Sequence, residues 1–202
     1  MYFKTIHYDK IMLAQNVNYI PFSDFKKLCD NTHLIKSDKL SANDISFIFK
    51  ISYYCALRIN ETLKLEKTNF DFDLLELDLG HTKTEKHGKA TIPKSFVNEL
   101  KAYLDTKQGG LLFPITRNTA YVHLMQLGKK LNINALITSQ KDTNEKTKTH
   151  LFRKSIAKEM LYKKAPINII SKKLRHASYN TTFLYLKLNN QDVINWENEN
   201  YE

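Results

Sequence analysis

The chain has 202 residues, 42% hydrophobic and 11% aromatic, enough to bury one core and too apolar for a disordered polymer. Lysine and arginine number 31 against 21 acidic residues, a net charge of +10; residues 188–202 alone carry −4, so residues 1–187 carry +14. No apolar run reaches bilayer length and MYFKTIHYDK lacks the pattern of a signal peptide, so a cytoplasmic protein with a polyanionic partner, nucleic acid first, is expected.

Residues 1–40 hold a Pro-Phe-Ser turn at 21–23 and a short helix, DFKKLCD, too little for an independent domain. Ser41 and Asp44 have the spacing of a capping box, and Ile45, Ile48, Phe49, Tyr53, Ala56 and Leu57 then follow the 3.6-residue period of a buried helix face. Arg58 comes at the end of that helix, with Glu61 three residues on. LLELDLG alternates as a half-buried strand, and HTKTEKHGKATIP reads as a turn containing Gly88 and a returning strand stopped by Pro93. SFVNELKAYL is a helix, and TAYVHLMQLGKKL is another, closed by Gly128. TSQKDTNEKTKT, residues 138–149, is a polar loop. HLFRKSIAKEMLYKK is helical, Pro166 opens PINIISKKL, and Asn180 caps a last helix, TTFLYLKL. The whole is α+β, mainly α, with one small antiparallel β-hairpin. Cys29 and Cys55 form no metal-like or redox-like pair and are expected as buried, reduced thiols.

No glycine-rich phosphate loop, metal-ligand spacing or nucleophile elbow occurs, so neither cofactor nor metal is expected. What occurs is an ordered series: ALRINETL with Arg58, HTKTEK with Lys83, HLFR with His150 and Arg153 three apart on one helical face, and LRHASYNTTFLY with His176 and Tyr185. In that order and approximate spacing, over residues 40–188, the series resembles the catalytic domain of the tyrosine recombinases, the phage-integrase and Xer-type enzymes. Each short motif is weak alone; together they are specific. Two positions depart from the family pattern: Ala56 and Arg175 stand where glycine is usual, and Arg175 adds bulk and charge beside the site.

The resemblance implies a DNA-cleaving and rejoining enzyme with Tyr185 as nucleophile and a 3′-phosphotyrosyl intermediate. Arg58 and Arg153 would clamp the charge on the non-bridging oxygens, as paired guanidiniums do better than a single ammonium. His150 would give general acid–base help, His176 would hydrogen-bond a non-bridging oxygen, and Lys83 would protonate the departing 5′ oxygen. Glu61 either orients a cation or caps its helix. Implied partners are double-stranded DNA and further copies of the chain, a dimer or tetramer on DNA, in the nucleoid or a host cytoplasm. Residues 1–40 read as an extension, 41–188 as the catalytic domain, and 189–202 as an acidic tail that docks on a neighbouring protomer. Family members usually carry an N-terminal core-binding domain; about 40 residues precede the first motif here, so the chain reads either as an excised catalytic domain or as a minimal recombinase, with strongly salt-dependent DNA binding. A type IB topoisomerase-like enzyme and a catalytically silent DNA-binding accessory protein are the alternatives.

Overall fold

In the computed structural model, residues 19–80, 88–137, 150–186, 193–194 and 197–198 are described. Pro21 opens α1 (Phe22–Asp30), so Pro-Phe-Ser is a helix start rather than a turn, as the fixed φ of proline favours. A 3₁₀ turn (Thr32–Leu34) leads to α2 (Ala42–Tyr54). Ser41 and Asp44 form the expected capping box, the Ser41 backbone N–H donating to Asp44 Oδ2 at 3.0 Å and the Asp44 N–H to Ser41 Oγ at 3.1 Å. Asp44 Oδ1 also accepts from the Tyr103 hydroxyl at 2.8 Å and from Lys107, which ties the start of α2 to a later helix.

α2 is followed by the single-turn α3 (Ile59–Thr62) and a three-stranded antiparallel sheet of β1 (Phe70–Asp71), β2 (Glu76–Asp78) and β3 (Lys89–Thr91) in that order. The expected hairpin is β2–β3; β1 was missed because two residues carry no periodicity. Leu77 lies opposite both Phe70 and Ala90 and faces the core. Gly88 extends the β2–β3 pairing one step beyond β3, its N–H donating to Gly80 O at 2.9 Å and its carbonyl accepting the Leu79 N–H at 2.8 Å. The hairpin tip with Lys83, and the loop 138–149, lie outside the described residues.

Five helices complete this part of the chain: α4 (Lys94–Asp105), α5 (Arg117–Lys130), α6 (Asn134–Ile137), α7 (Leu151–Tyr162) and α8 (Ile167–Lys173); α9 (Tyr179–Leu186) follows. Gly128 does not close α5. It sits within the helix, where a Cβ would lie 2.5 Å from Leu136 Cδ1, so it is small because α6 crosses there. Asn180 lies inside the first turn of α9, and Ser178 Oγ accepts its N–H at 3.2 Å in the capping role.

Two hydrophobic clusters hold the elements. The larger joins α1, α2, the sheet, α4, α5 and the start of α7, and includes Ile20, Phe25, Leu28, Ile35 and Leu40 from the first 40 residues. Phe25 stacks on Tyr53 at 4.0 Å between ring centroids, and Phe47 on Tyr103 at 3.8 Å. The smaller gathers Ala56, Ala157, Ile170, Leu174 and Leu186, with Tyr185 packed against it. It is the floor on which α9 rests. The apolar neighbours of Tyr185 differ from one another: Leu186 is buried, but Phe183 is 47% and Leu184 77% exposed. The buried face of α9 is Thr182 and Leu186.

Candidate active site at the ends of two helices

Helices α2 and α8 end in the same way. After α2, the Leu57 N–H donates to Ser52 O and the Ala56 N–H to Tyr53 O; after α8, the His176 N–H donates to Ser171 O and the Arg175 N–H to Lys172 O. Both are Schellman motifs, whose second-last residue must take the left-handed conformation. Ala56 has φ of 53° and Arg175 of 51°. These are the two positions where the resemblance calls for glycine, and the reason for glycine is this backbone. A residue with a Cβ is strained there by roughly 1–2 kcal/mol. The turns place Arg58 just beyond one helix and His176 just beyond the other. Arg58 is therefore not carried by the helix α2; it is the residue before α3, released by the turn at Ala56.

Arg153, on the first turn of α7, joins the two ends. Its Nη1 donates to Ala56 O at 2.9 Å and its Nη2 to Leu174 O. Carbonyls at helix C-termini are the negative ends of the helix dipoles, and a guanidinium is the natural partner for two of them. Arg153 is 1% exposed, the largest fully buried side chain described. Burial, with Arg175 and Arg58 nearby, lowers its pKa to about 10, so it stays charged at neutral pH.

Around this arginine the expected residues converge. The part-buried Tyr185 hydroxyl donates towards the His150 carbonyl at 3.5 Å, and the charge of the nearby Arg153 guanidinium acts on it. Burial pushes the phenol up to about 12, although Arg153 and Arg58 pull it back. The His176 ring meets the Tyr185 ring edge to face, with centroids 5.3 Å apart. His176 Nδ1 is 2.9 Å from Thr182 Oγ1. Burial, then Arg153, Arg58 and Arg175, lowers His176 to about 4; burial, then Arg153, Arg58 and Arg117, lowers His150 as well. Both imidazoles are neutral at pH 7. In the tautomer in which the Thr182 hydroxyl donates to Nδ1, the His176 proton sits on Nε2 and is available to an anion.

Glu61 does both things that the sequence left open. Its Oε2 accepts the Arg58 backbone N–H at 2.8 Å, and its Oε1 pairs with Arg58 Nη1 at 2.8 Å. Oε2 also pairs with Arg175 Nη2 at 2.7 Å. Burial works to raise the Glu61 carboxyl, but Arg175 and the Arg58 contacts outweigh it and hold it below the ordinary value. Two residues of this neighbourhood carried no recognised motif. Arg117, at the start of α5, acts on His150 through its charge, and Arg175 stood out only as a departure from glycine. Among the described residues there is no cluster of three or more side chains fit to hold a metal ion, and no helix long and apolar enough to cross a membrane.

The buried histidines make stability pH-dependent. Their folded pKa values lie below the unfolded value of about 6.5, so the unfolded chain binds more protons as pH falls. The stability is complete above pH 6.5 and is lost on descending towards pH 4, where His176 itself titrates. His123 on α5, also lowered by burial, adds to the same slope. Each histidine contributes at most about 1.4 kcal/mol per pH unit, less where water reaches its ring. Thermal denaturation between pH 7 and pH 5 should show a steady fall in Tm, shallower in His176→Gln. A flat Tm across that range contradicts it.

Helices surrounding a small antiparallel sheet, with arginines, histidines and one tyrosine at the ends of two helices, form the catalytic fold of the DNA breaking-and-rejoining recombinases. Comparison with known proteins agrees. Residues 18–192 match the phage integrase family model. The chain belongs to the phage integrase family. It is 26% identical over 147 residues to the tyrosine recombinase XerC of Chlorobaculum parvum, covering 68% of this chain and 43% of that protein. Its fold resembles the catalytic domain of bacteriophage HP1 integrase (TM-score 0.59, 18% identity, 83% of this chain and 85% of that one). It also resembles XerH site-specific recombinase bound to a palindromic difH substrate in a post-cleavage complex (TM-score 0.66, 19% identity, 89% of this chain and 51% of that one). The chain spans 43% to 50% of the length of the curated relatives it matches.

Proposed function

We propose that this chain is the DNA-cleaving part of a site-specific recombinase, which opens one strand of double-stranded DNA by forming a 3′-phosphotyrosyl bond to Tyr185 and later reseals it. The observation that carries this reading is the position of the Tyr185 hydroxyl, between the Arg153 guanidinium and the His150 carbonyl with the His176 ring beside it. In the cleavage step the phenolic oxygen attacks phosphorus and the bond from phosphorus to the 5′ oxygen breaks. The phenol proton passes to the neutral His150 imidazole, and Lys83 supplies the proton that leaves with the 5′ hydroxyl. Arg58 and Arg153 carry the charge that gathers on the non-bridging oxygens, and His176 donates to one of them. A phenol held up to about 12 is not a phenolate at pH 7, so attack and proton transfer proceed together. Each direction exchanges one phosphate ester for another, so resealing needs neither ATP nor a metal.

The basic body grips the DNA backbone, and two or four copies assemble on the site, linked by the acidic tail 189–202. The work takes place where the DNA is, in the nucleoid or a host cytoplasm. The test is to incubate the full chain with a library of randomised, nicked duplexes and to recover DNA that stays attached in denaturant. A small set of related sequences, each attached through its 3′ end, is expected. Binding without attachment anywhere in the library favours the accessory DNA-binding protein, and relaxation of plasmids without sequence preference favours the topoisomerase-like enzyme.

A further inference from the structure

Arg175 occupies a backbone position that glycine would fill without strain, yet its side chain is folded inward and only 8% exposed. It ends on Glu61 Oε2 at 2.7 Å, while the other oxygen of the same carboxylate holds Arg58 Nη1. Arg58, by contrast, keeps 38% of its side chain exposed. Arg58 and Glu61 alone make a neutral pair, in which Arg58 holds both carboxylate oxygens, its Nη1 on Oε1 and its backbone N–H on Oε2. Adding Arg175 leaves the trio with a net positive charge and gives Oε2 a second, charged donor from a distant part of the chain, so the carboxylate is held from outside the Arg58 turn as well.

We propose that Arg175 is a positioning residue for phosphate recognition: by adding a charged donor to the Glu61 oxygen that also accepts the Arg58 backbone N–H, it steadies the carboxylate that aims the Arg58 guanidinium at the scissile phosphate, and it leaves the charge of Arg58 uncancelled. The inference rests on the reading of Arg58 as a phosphate clamp. The charge of Arg175 is also felt by His176 and Arg153, whose proton affinities it helps to lower. Arg175 thus acts on three members of the site, with its ion pair to the Glu61 carboxylate as the direct contact to that group.

The test uses the full chain and the nicked duplexes recovered by covalent attachment. Arg175→Gly suits the left-handed turn, so its Tm should be equal to or above that of the parent, and its Kd for duplex should stay within about twofold. Single-turnover cleavage at saturating DNA should slow about tenfold, as expected of a misaimed group. Arg175→Lys, which keeps the charge but not the fork, should recover part of that loss. In a Glu61→Gln background, Arg175→Gly should change cleavage less than about twofold, because the route of action is already broken. Undiminished cleavage in Arg175→Gly, or the same tenfold loss in the Glu61→Gln background, overturns the proposal. A readout independent of cleavage accompanies it: the Arg58 Nε–H resonance in the DNA-free protein should be resolved in the parent and Arg175→Lys and broadened in Arg175→Gly. A parent that forms no adduct while this resonance still responds supports the positioning role and sinks the recombinase reading; an indifferent resonance sinks the positioning role whatever the adduct does.

Discussion

Tyr185→Phe should abolish denaturant-resistant attachment to DNA, lowering cleavage on the order of 10⁴-fold or more, because it removes the phenolic oxygen proposed to attack phosphorus. The protein should still fold and bind. The phenyl ring keeps its edge-to-face contact with His176 and its place over the small cluster, and the lost hydroxyl contacts with His150 and Arg153 are worth about 1 kcal/mol. Tyr179 is the natural control, since it is 55% exposed at the start of α9. Tyr179→Phe should cleave at the parental rate. Gel analysis of the adduct in denaturant decides both, and an adduct that survives Tyr185→Phe and vanishes in Tyr179→Phe reverses the assignment.

The second large effect separates two arginines that sequence treats alike. Arg58→Ala removes a partly exposed donor whose carboxylate partner is still held by Arg175, so the fold should stand while cleavage falls by the 2.7–4 kcal/mol typical of one such donor, about 10²–10³-fold. Arg153→Ala should cost as much in cleavage and also destabilise the protein. It strips the partner from two buried carbonyls, Ala56 O and Leu174 O, at roughly 1–3 kcal/mol each. Arg153→Lys repairs little of this, because an ammonium on a single stem cannot span two carbonyls with a fork. Thermal denaturation beside single-turnover cleavage checks the contrast. Equal Tm values for Arg58→Ala and Arg153→Ala would show that the helix-joining role is unimportant.

Much of this was open to reading because the chemistry uses rare residue types in a fixed order. Arg58, His150, Arg153, His176 and Tyr185 were named from short motifs, and five residues separated by up to 127 positions come to one neighbourhood. The capping box at Ser41 and the alternation around Leu77 were legible for a similar reason: each is a local pattern with a local cause. Helix ends were not. The left-handed closing positions at Ala56, Asn132, Lys164 and Arg175 are all occupied by residues with a Cβ, so the usual glycine signal is missing. The one conspicuous helical glycine, Gly128, answers instead to the crossing of α6. Nor does periodicity reveal that Arg153 is a buried tie, since an arginine in an amphipathic helix looks the same whether it faces water or two carbonyls. Phe183 and Leu184 show the converse: an apolar side chain on a short helix need not be covered.

Those unglycined helix ends also mark where the molecule has room to be hardened. Lys164 has φ of 61° at the exposed end of α7, away from every group assigned a chemical role, and a glycine there would relieve roughly 1–2 kcal/mol of strain. The same exchange at Arg175 would relieve similar strain but take away the residue that steadies Glu61. An engineer selecting only for heat resistance would accept both, and would obtain a tougher protein with a blunted reaction. Selection for cleavage would keep one and refuse the other.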